Sequence, residues 1–233
     1  LHFASGYNIS YDLIQPPEDV DVVMVAPRMP GETMREWYQE GKGYPSLMAV
    51  NQDYSGEAKE IALAFSKAIG STRGGVMEGT FDMETILDLL LEAGPLPVMI
   101  QTIMSFYEIA TDIGIPPEVI LTELYLSREI AVVFEHMATE GILNQLESTH
   151  STTSQYAHLS RIDELEDSDV KDNIKDFLSE QLRLIDNGTF AKEWTGSEQS
   201  LDRVGLKRLY NRFERKEFFE DEQKTMDALN FGD

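Results

Sequence analysis

The stretch VDVVMVAPRMPGETMREWYQEGKGYPSLMAV, residues 20–50, decides the fold class. Its opening run, residues 20–26, is β-branched and apolar, broken only by Asp21 and closed by Pro27. That is the pattern of a strand buried on both faces of a parallel sheet. Residues 47–50 are a second short run of the same kind. Between them, residues 32–40 have the length and composition of a helix ending at Gly41, and Gly43-Tyr44-Pro45 leads into the next strand. Farther on, Ala58, Ile61, Ala62, Phe65, Ala68 and Ile69 fall on one helical face within 55–69, with Gly70 placed to end the helix. Strand, helix, strand, helix reads as α/β.

Beyond Phe81 the strand signals vanish. Helices are expected over 83–91, over 98–113 ending at Gly114, and over 117–139 ending at Gly141, with Pro116-Pro117 suited to a helix start. The third is apolar on nearly every side, which predicts a central place in a helical bundle. A more polar stretch, 147–155, follows, and then charged amphipathic helices over 169–185 and 201–229. The domain boundary is placed near Gly79, giving an α/β domain over 1–79 and an all-helical domain over 80–233.

The chain has 233 residues, with 42 Asp plus Glu against 19 Lys plus Arg, so its formal charge is 19 − 42 = −23. Such a surface repels polyanions, so neither nucleic acid nor an anionic membrane is expected as a partner. Apolar residues make up 42%, enough for a packed core despite the charge. With no cysteine, disulfides, thiolate metal sites and Cys nucleophiles are excluded together, and a reducing, cytoplasmic location is the natural expectation. No uninterrupted apolar run of about 18 residues is apparent and no leader opens the chain, so a soluble protein is expected. The chain starts at Leu1, in strand-like sequence without an initiator Met. An upstream segment is therefore expected.

Chemistry is expected around Glu84, Asp88 and Glu92, spaced i, i+4, i+8 on one helix face. Like charges at that spacing repel, so the arrangement is either a solvated acidic stripe or a site for a hard cation. Glu123, alone in an apolar helix and in need of a cation, a donor or a ligand, tips the reading toward the second. Oxygen ligands without Cys or paired His suit Mg²⁺ or Mn²⁺ better than zinc.

These residues sit in segments that resemble a known family. FASGYNI, PPEDVDVVMVAPRMPGETMREWYQEGKGYP, AVNQDYSGEAKEIALAFSKAIGSTRGGVMEGTF and ETILDLLLE, within residues 3–92, are closely similar to ketol-acid reductoisomerases. The likeness continues through GIPPEVILTEL, weakens around 151–156 and returns at IDNGTFAKEWTG. The resemblance implies a Rossmann-like NADPH domain followed by a knotted all-helical domain, in the short, dimer-forming kind of enzyme. It implies Mg²⁺-dependent alkyl migration in a 2-acetolactate-type 2-keto acid, then reduction by NADPH. Asp88 and Glu92 match the family's first metal ligands, with Glu84 as their support. Glu123 matches the first Glu contributed by a partner subunit, and Ser151 the serine that contacts the substrate carboxylate. Pro27 and Arg28 fall where the strand end borders the cofactor, and the strand end at 50–53 is expected beside it.

The departures are specific. The family's second partner-helix Glu falls on Ser127, the His of its AHG motif on Ser5, the Lys of APKGPGH on Arg28 and that motif's His on Glu32. TAEYG has become TSQYA, with Gln155 in place of Glu. No Gly-rich phosphate loop of the GxGxxG kind occurs in these residues. A diverged reductoisomerase is the leading expectation. A catalytically inactive paralogue kept as a dimeric structural or regulatory partner is the alternative.

Overall fold

The computed structural model of the protein describes residues 1–199, 201–214 and 216–229. The backbone separates into two units, Leu1–Glu92 with Leu182–Ala191, and Ala93–Gln181 with Lys192–Asp233.

In the first unit the elements run β1 (His2–Phe3), α1 (Tyr7–Ser10), β2 (Val22–Pro27), α2 (Gly31–Gln39), β3 (Ser46–Gln52), α3 (Ala58–Ala68), β4 (Val76–Glu78) and α4 (Phe81–Ala93). The strands form one sheet in the order β1-β2-β3-β4. β2 is buried on both faces, as its composition predicts. Val22, Met24 and Ala26 pack with Ala49 and Phe81 on one side, while Val23 and Val25 pack with Met48, Ala58 and Ala62 on the other.

The sheet is not all parallel. β1 runs parallel to β2, and β4 to β3, but β2 and β3 are antiparallel, with Pro27 opposite Ser46 and Val22 opposite Gln52. A parallel crossover needs a helix laid along the sheet face. α2 buries no residue, so the chain turns back at the end of the sheet where it left. One consequence corrects the sequence reading: the strand ends at 26–28 and at 50–53 lie at opposite ends of the sheet. The second of them is a structural corner. Asp53 Oδ1 accepts the backbone N–H of Gly56 and of Ala58 at the start of α3, and Gln52 Nε2 donates to the carbonyls of Pro17 and Val20.

α3 buries a narrower stripe than expected. Ala58, Ala62 and Ser66 face the sheet, whereas Ile61 and Phe65 are exposed. Small side chains let this helix close down on β2 and β3, and Ser66 Oγ satisfies itself on the Ala62 carbonyl at 2.8 Å.

The second unit is helical: α5 (Pro95–Asp112), α6 (Pro117–Leu121), α7 (Glu129–Glu140), α8 (Ile142–Thr149), α9 (Thr152–Glu166), most of α10 (Asp169–Asp186), α12 (Val204–Phe213) and α13 (Glu217–Leu229). The short α11 (Thr189–Ala191) belongs to the first unit. The helix expected over 117–139 is broken. After α6 the chain widens into a π segment, Thr122–Leu126, in which the Ser127 N–H reaches the Thr122 carbonyl five residues back. Arg128 then turns left-handed at φ 65° before α7 begins. Nor is its second half buried: α7 buries no residue, and Ile130, Val132 and Phe134 are exposed. The stretch read as merely polar forms the end of α8 and the start of α9, where Ser151 caps α9 by accepting the Ser154 N–H at 3.3 Å.

The core of this unit gathers Met104, Tyr107 and Ala110 of α5, Ile120 and Leu121 of α6, Leu126 and Phe218. Two tyrosines staple α13 to it: Tyr107 Oη donates to Asp221 Oδ2 at 2.7 Å, and Tyr125 Oη donates to a Glu222 carboxylate oxygen. Burial first, and then the carboxylate acceptor, push both phenols up. The hydrogen bonds from Lys224 and then Tyr107 hold the Asp221 carboxyl below its usual value. As pH falls, the unfolded chain takes up the Asp221 proton first, so this stabilisation is complete above about pH 4 and is lost through the lower, folded value. As pH rises, the unfolded phenols ionise first, so theirs is complete below about pH 10 and lost above it. Tyr107→Phe is expected to cost about 1–2 kcal/mol at pH 7. The difference should shrink as pH drops below about 4. Denaturant unfolding at pH 7 and pH 3 checks this, and an equal difference at both would refute the coupling.

One stretch, Phe81–Asp112, is long and apolar enough to cross a membrane by length and composition alone, contrary to the sequence reading. It arises because α4 and α5 follow one another with only Gly94 between them, and α5 opens on Pro95. Among its side chains Leu87, Leu91, Phe106 and Ile109 are exposed.

Candidate active site on the carboxylate face of α4

α4 starts where Thr80 Oγ accepts the Met83 N–H at 3.1 Å, and Phe81 anchors it under the sheet. That register turns Glu84 inward, 1% exposed, and leaves Asp88 half exposed one turn later.

Glu84 is a fully engaged carboxylate. Its Oε2 accepts the Gly6 N–H at 2.6 Å and the Ser5 hydroxyl at 3.3 Å, and its Oε1 accepts Arg28 Nη2 at 2.6 Å. Arg28 follows the last residue of β2, and its backbone N–H is fixed on the Pro45 carbonyl at 2.9 Å. The guanidinium forks, because its Nη1 donates to Asp88 Oδ1 at 3.2 Å. Its Nε is buried with no hydrogen-bond partner among the described residues. The cation that this carboxylate row calls for is, inside this unit, a guanidinium. The two arms differ in weight. The Glu84 arm is charge-assisted and shielded from water, whereas the Asp88 arm is a half-exposed pair worth about 0–1 kcal/mol.

Gly6 makes the arrangement sterically feasible. A Cβ there would stand 2.3 Å from the Phe81 carbonyl oxygen and 2.5 Å from Thr85 Oγ1. Only a residue without a side chain brings its N–H onto Glu84. Tyr11, just after α1, donates to the Ile185 carbonyl at 2.9 Å, which ties the IDNGTFA segment to the same unit.

The structure thus brings Glu84, Asp88 and Arg28 together, with half-buried Pro27 at the strand end beside Arg28. Glu92 is exposed on the next turn of α4 and makes no ion pair among the described residues. Glu123 and Ser151 lie in the helical unit. Glu123 is exposed within the π segment rather than enclosed in an apolar helix, so it needs no internal counter-charge. Ser127 is exposed too. Two features escaped the sequence reading, the Arg28 fork and the Ser5-Gly6 cradle. The available signal was a lone cation at a buried strand end, and a glycine next to a hydroxyl ahead of a very short helix.

Two family models match the chain. "Acetohydroxy acid isomeroreductase, NADPH-binding domain" covers residues 1–75, and "Ketol-acid reductoisomerase, C-terminal domain" covers residues 81–230. The chain belongs to the ketol-acid reductoisomerase family. It is 42% identical over 205 residues to a ketol-acid reductoisomerase (NADP(+)) of Pyrococcus abyssi, covering 88% of this chain and 60% of that protein. It is 40% identical over 210 residues to that of Pyrobaculum neutrophilum, covering 90% and 62%. Among solved structures, the NADH-preferring ketol-acid reductoisomerase from an uncultured archaeon matches with a TM-score of 0.85 and 33% identity, over 96% of this chain and 66% of that one. The chain therefore spans about 60% of the length of these curated relatives. The family match agrees with the Rossmann-like first unit and the helical second one.

Membership in the ketol-acid reductoisomerase family implies NADPH and Mg²⁺. The donor set suits the ion: Asp88 and Glu92 offer hard carboxylate oxygens to solvent one turn apart. Glu84 does not, since it is buried and both of its oxygens already accept hydrogen bonds within the unit. Among the described residues no group of three metal-binding side chains is assembled.

Proposed function

We propose that the protein acts as a ketol-acid reductoisomerase in the branched-chain (valine and isoleucine) pathway, on a 2-acetolactate-type 2-keto acid, in the cytoplasm. The observation that carries this reading is the Glu84–Arg28–Asp88 set at the end of β2, with Glu92 one turn beyond, in a chain matched along most of its length by that family. In this reading residues 1–79 are the later part of the cofactor domain and 80–233 the knotted helical domain. When bound, Mg²⁺ supplies the charge that drives alkyl migration and NADPH supplies the hydride.

The chain's own residues have separate tasks. Asp88 and Glu92 hold the ion, with Glu123 contributed across a homodimer. Glu84 fixes Arg28, and Arg28 with Pro27 lines the cofactor side of the site. Ser151 offers its hydroxyl to the substrate carboxylate. Arg28 stays charged at any pH of interest, so it positions and neutralises rather than moving a proton. A homodimer is supported by the apolar side chains left bare on α4, α5 and α7, which a second copy would cover.

The experiment is NADPH oxidation dependent on both 2-acetolactate and Mg²⁺ by the purified protein. Alongside it, Asp88→Asn is expected to weaken Mg²⁺ binding by at least about tenfold in calorimetric titration. Glu147→Gln, equal in charge but on α8, should leave binding within about twofold. Equal losses would mean that diffuse acidity attracts the ion.

A further inference from the structure

The Arg28 fork does something that a carboxylate metal site does not ordinarily contain: it puts a permanent cation on one of the proposed ligands. We infer that Arg28 is a built-in competitor for Asp88, so that a divalent ion binds only by displacing one arm of the guanidinium, and that Glu84 sets how hard this is. The inference rests on the reading of Asp88 and Glu92 as metal ligands.

The two arms of the guanidinium are unequal. Nη2 sits 2.6 Å from buried Glu84, and Nη1 sits 3.2 Å from half-exposed Asp88. The first is the shorter, drier and stronger bond, and the second the weaker and more easily surrendered. Glu84 in turn cannot follow Arg28 if the side chain moves. The Gly6 N–H and Ser5 hydroxyl hold it from the far side, and α4 holds it from behind. The guanidinium is therefore tethered at one end, with its other end on Asp88. Its reach is fixed from the backbone as well, through the Arg28 N–H on the Pro45 carbonyl. A tethered cation opposes an incoming dication twice, by occupying an oxygen of Asp88 and by like-charge repulsion at short range. A lysine has one compact ammonium in place of the planar fork, and so would not hold two carboxylates in this fixed relation. The buried Nε, without a hydrogen-bond partner among the described residues, agrees with a side chain whose position is dictated by its two anions rather than by its own full hydrogen bonding.

The test separates this release from net charge. Arg28→Gln/Glu84→Gln removes one positive and one negative charge, so the overall charge of the site is unchanged and no uncompensated carboxylate is left buried. Mn²⁺ binding is measured by calorimetry and by the loss of the free-ion electron spin resonance signal, in the unmodified protein, the double variant and Arg28→Lys, each with Asp88→Asn as background. Circular dichroism and thermal unfolding establish that each is folded. The expected result is that the double variant binds Mn²⁺ about tenfold more tightly, a difference of about 1.4 kcal/mol. Arg28→Lys should fall between the two, and Asp88→Asn should abolish the gain. Mn²⁺ affinity that is equal in all three proteins and still sensitive to Asp88→Asn would overturn the competition while leaving the metal site standing. Absence of any binding that depends on Asp88 would overturn both.

Discussion

Gly6→Ala is expected to be among the most damaging single substitutions in the first unit, with a loss of about 2–6 kcal/mol of stability. The added Cβ would stand 2.3 Å from the Phe81 carbonyl oxygen and 2.5 Å from Thr85 Oγ1. Neither can retreat: Phe81 belongs to the first turn of α4 and is packed under the sheet, and Thr85 Oγ1 donates to Ser10 Oγ at 3.1 Å. The loop must lift off α4 instead. Overpacking of this kind costs about 1–3 kcal/mol. Lifting the loop also takes the Gly6 N–H and the Ser5 hydroxyl away from a carboxylate that is 1% exposed, and leaving such a group short of donors costs about another 1–3 kcal/mol. Denaturant unfolding measures the sum. The Ser5→Ala variant removes one donor without the clash and should lose about 1 kcal/mol or less. A Gly6→Ala protein within about 1 kcal/mol of the parent would show that the loop does not support Glu84.

A second large effect is expected on the bare face of α5. Phe106, Ile109 and Ile113 recur at helical spacing, and Ile109 and Ile113 are 67% and 74% exposed. Burying an isoleucine is worth about 1.5–3 kcal/mol. In the proposed twofold dimer the same residue counts once from each copy, so Ile109→Glu should weaken dimerisation by at least about 3 kcal/mol, more than about a hundredfold. Sedimentation equilibrium should then find monomer at concentrations where the parent is dimeric, with a lower unfolding temperature. Tyr54→Glu, equally exposed but in the first unit and far from α5 in sequence, should change neither. An unchanged mass for Ile109→Glu would remove this face from the interface.

Local pattern carried a good deal of this protein. β2 was legible because a run of β-branched residues without alternation suits burial on both faces, and α3, α4, α5 and α10 because a helical stripe, a capping residue or a glycine stop appears within a single window. The broken third helix was not. Nothing in ILTELYLSREIAVVF forbids a straight helix, and the π segment at Thr122–Leu126 and the left-handed Arg128 are settled by what packs around them. The strand directions were likewise out of reach. A short helix between two strands reads the same whether it crosses the sheet or merely turns back, and only the absence of a buried face on α2 distinguishes them.

The site divides along the same line. The sequence by itself determined that Glu84, Asp88 and Glu92 share one face of a helix, since helical periodicity requires nothing beyond the chain's own spacing. It left two readings of such a row, a solvated acidic stripe or a site for a cation. Tertiary structure alone decided that Glu84 is buried and spent, that Asp88 and Glu92 remain open to solvent, and that the nearest cation is Arg28, 56 residues away along the chain. Charge and spacing are local properties, whereas desolvation and pairing depend on which distant backbone closes over a side chain. Here that closure is made by Ser5 and Gly6, and it fixes which carboxylate anchors the guanidinium and which is left to exchange it.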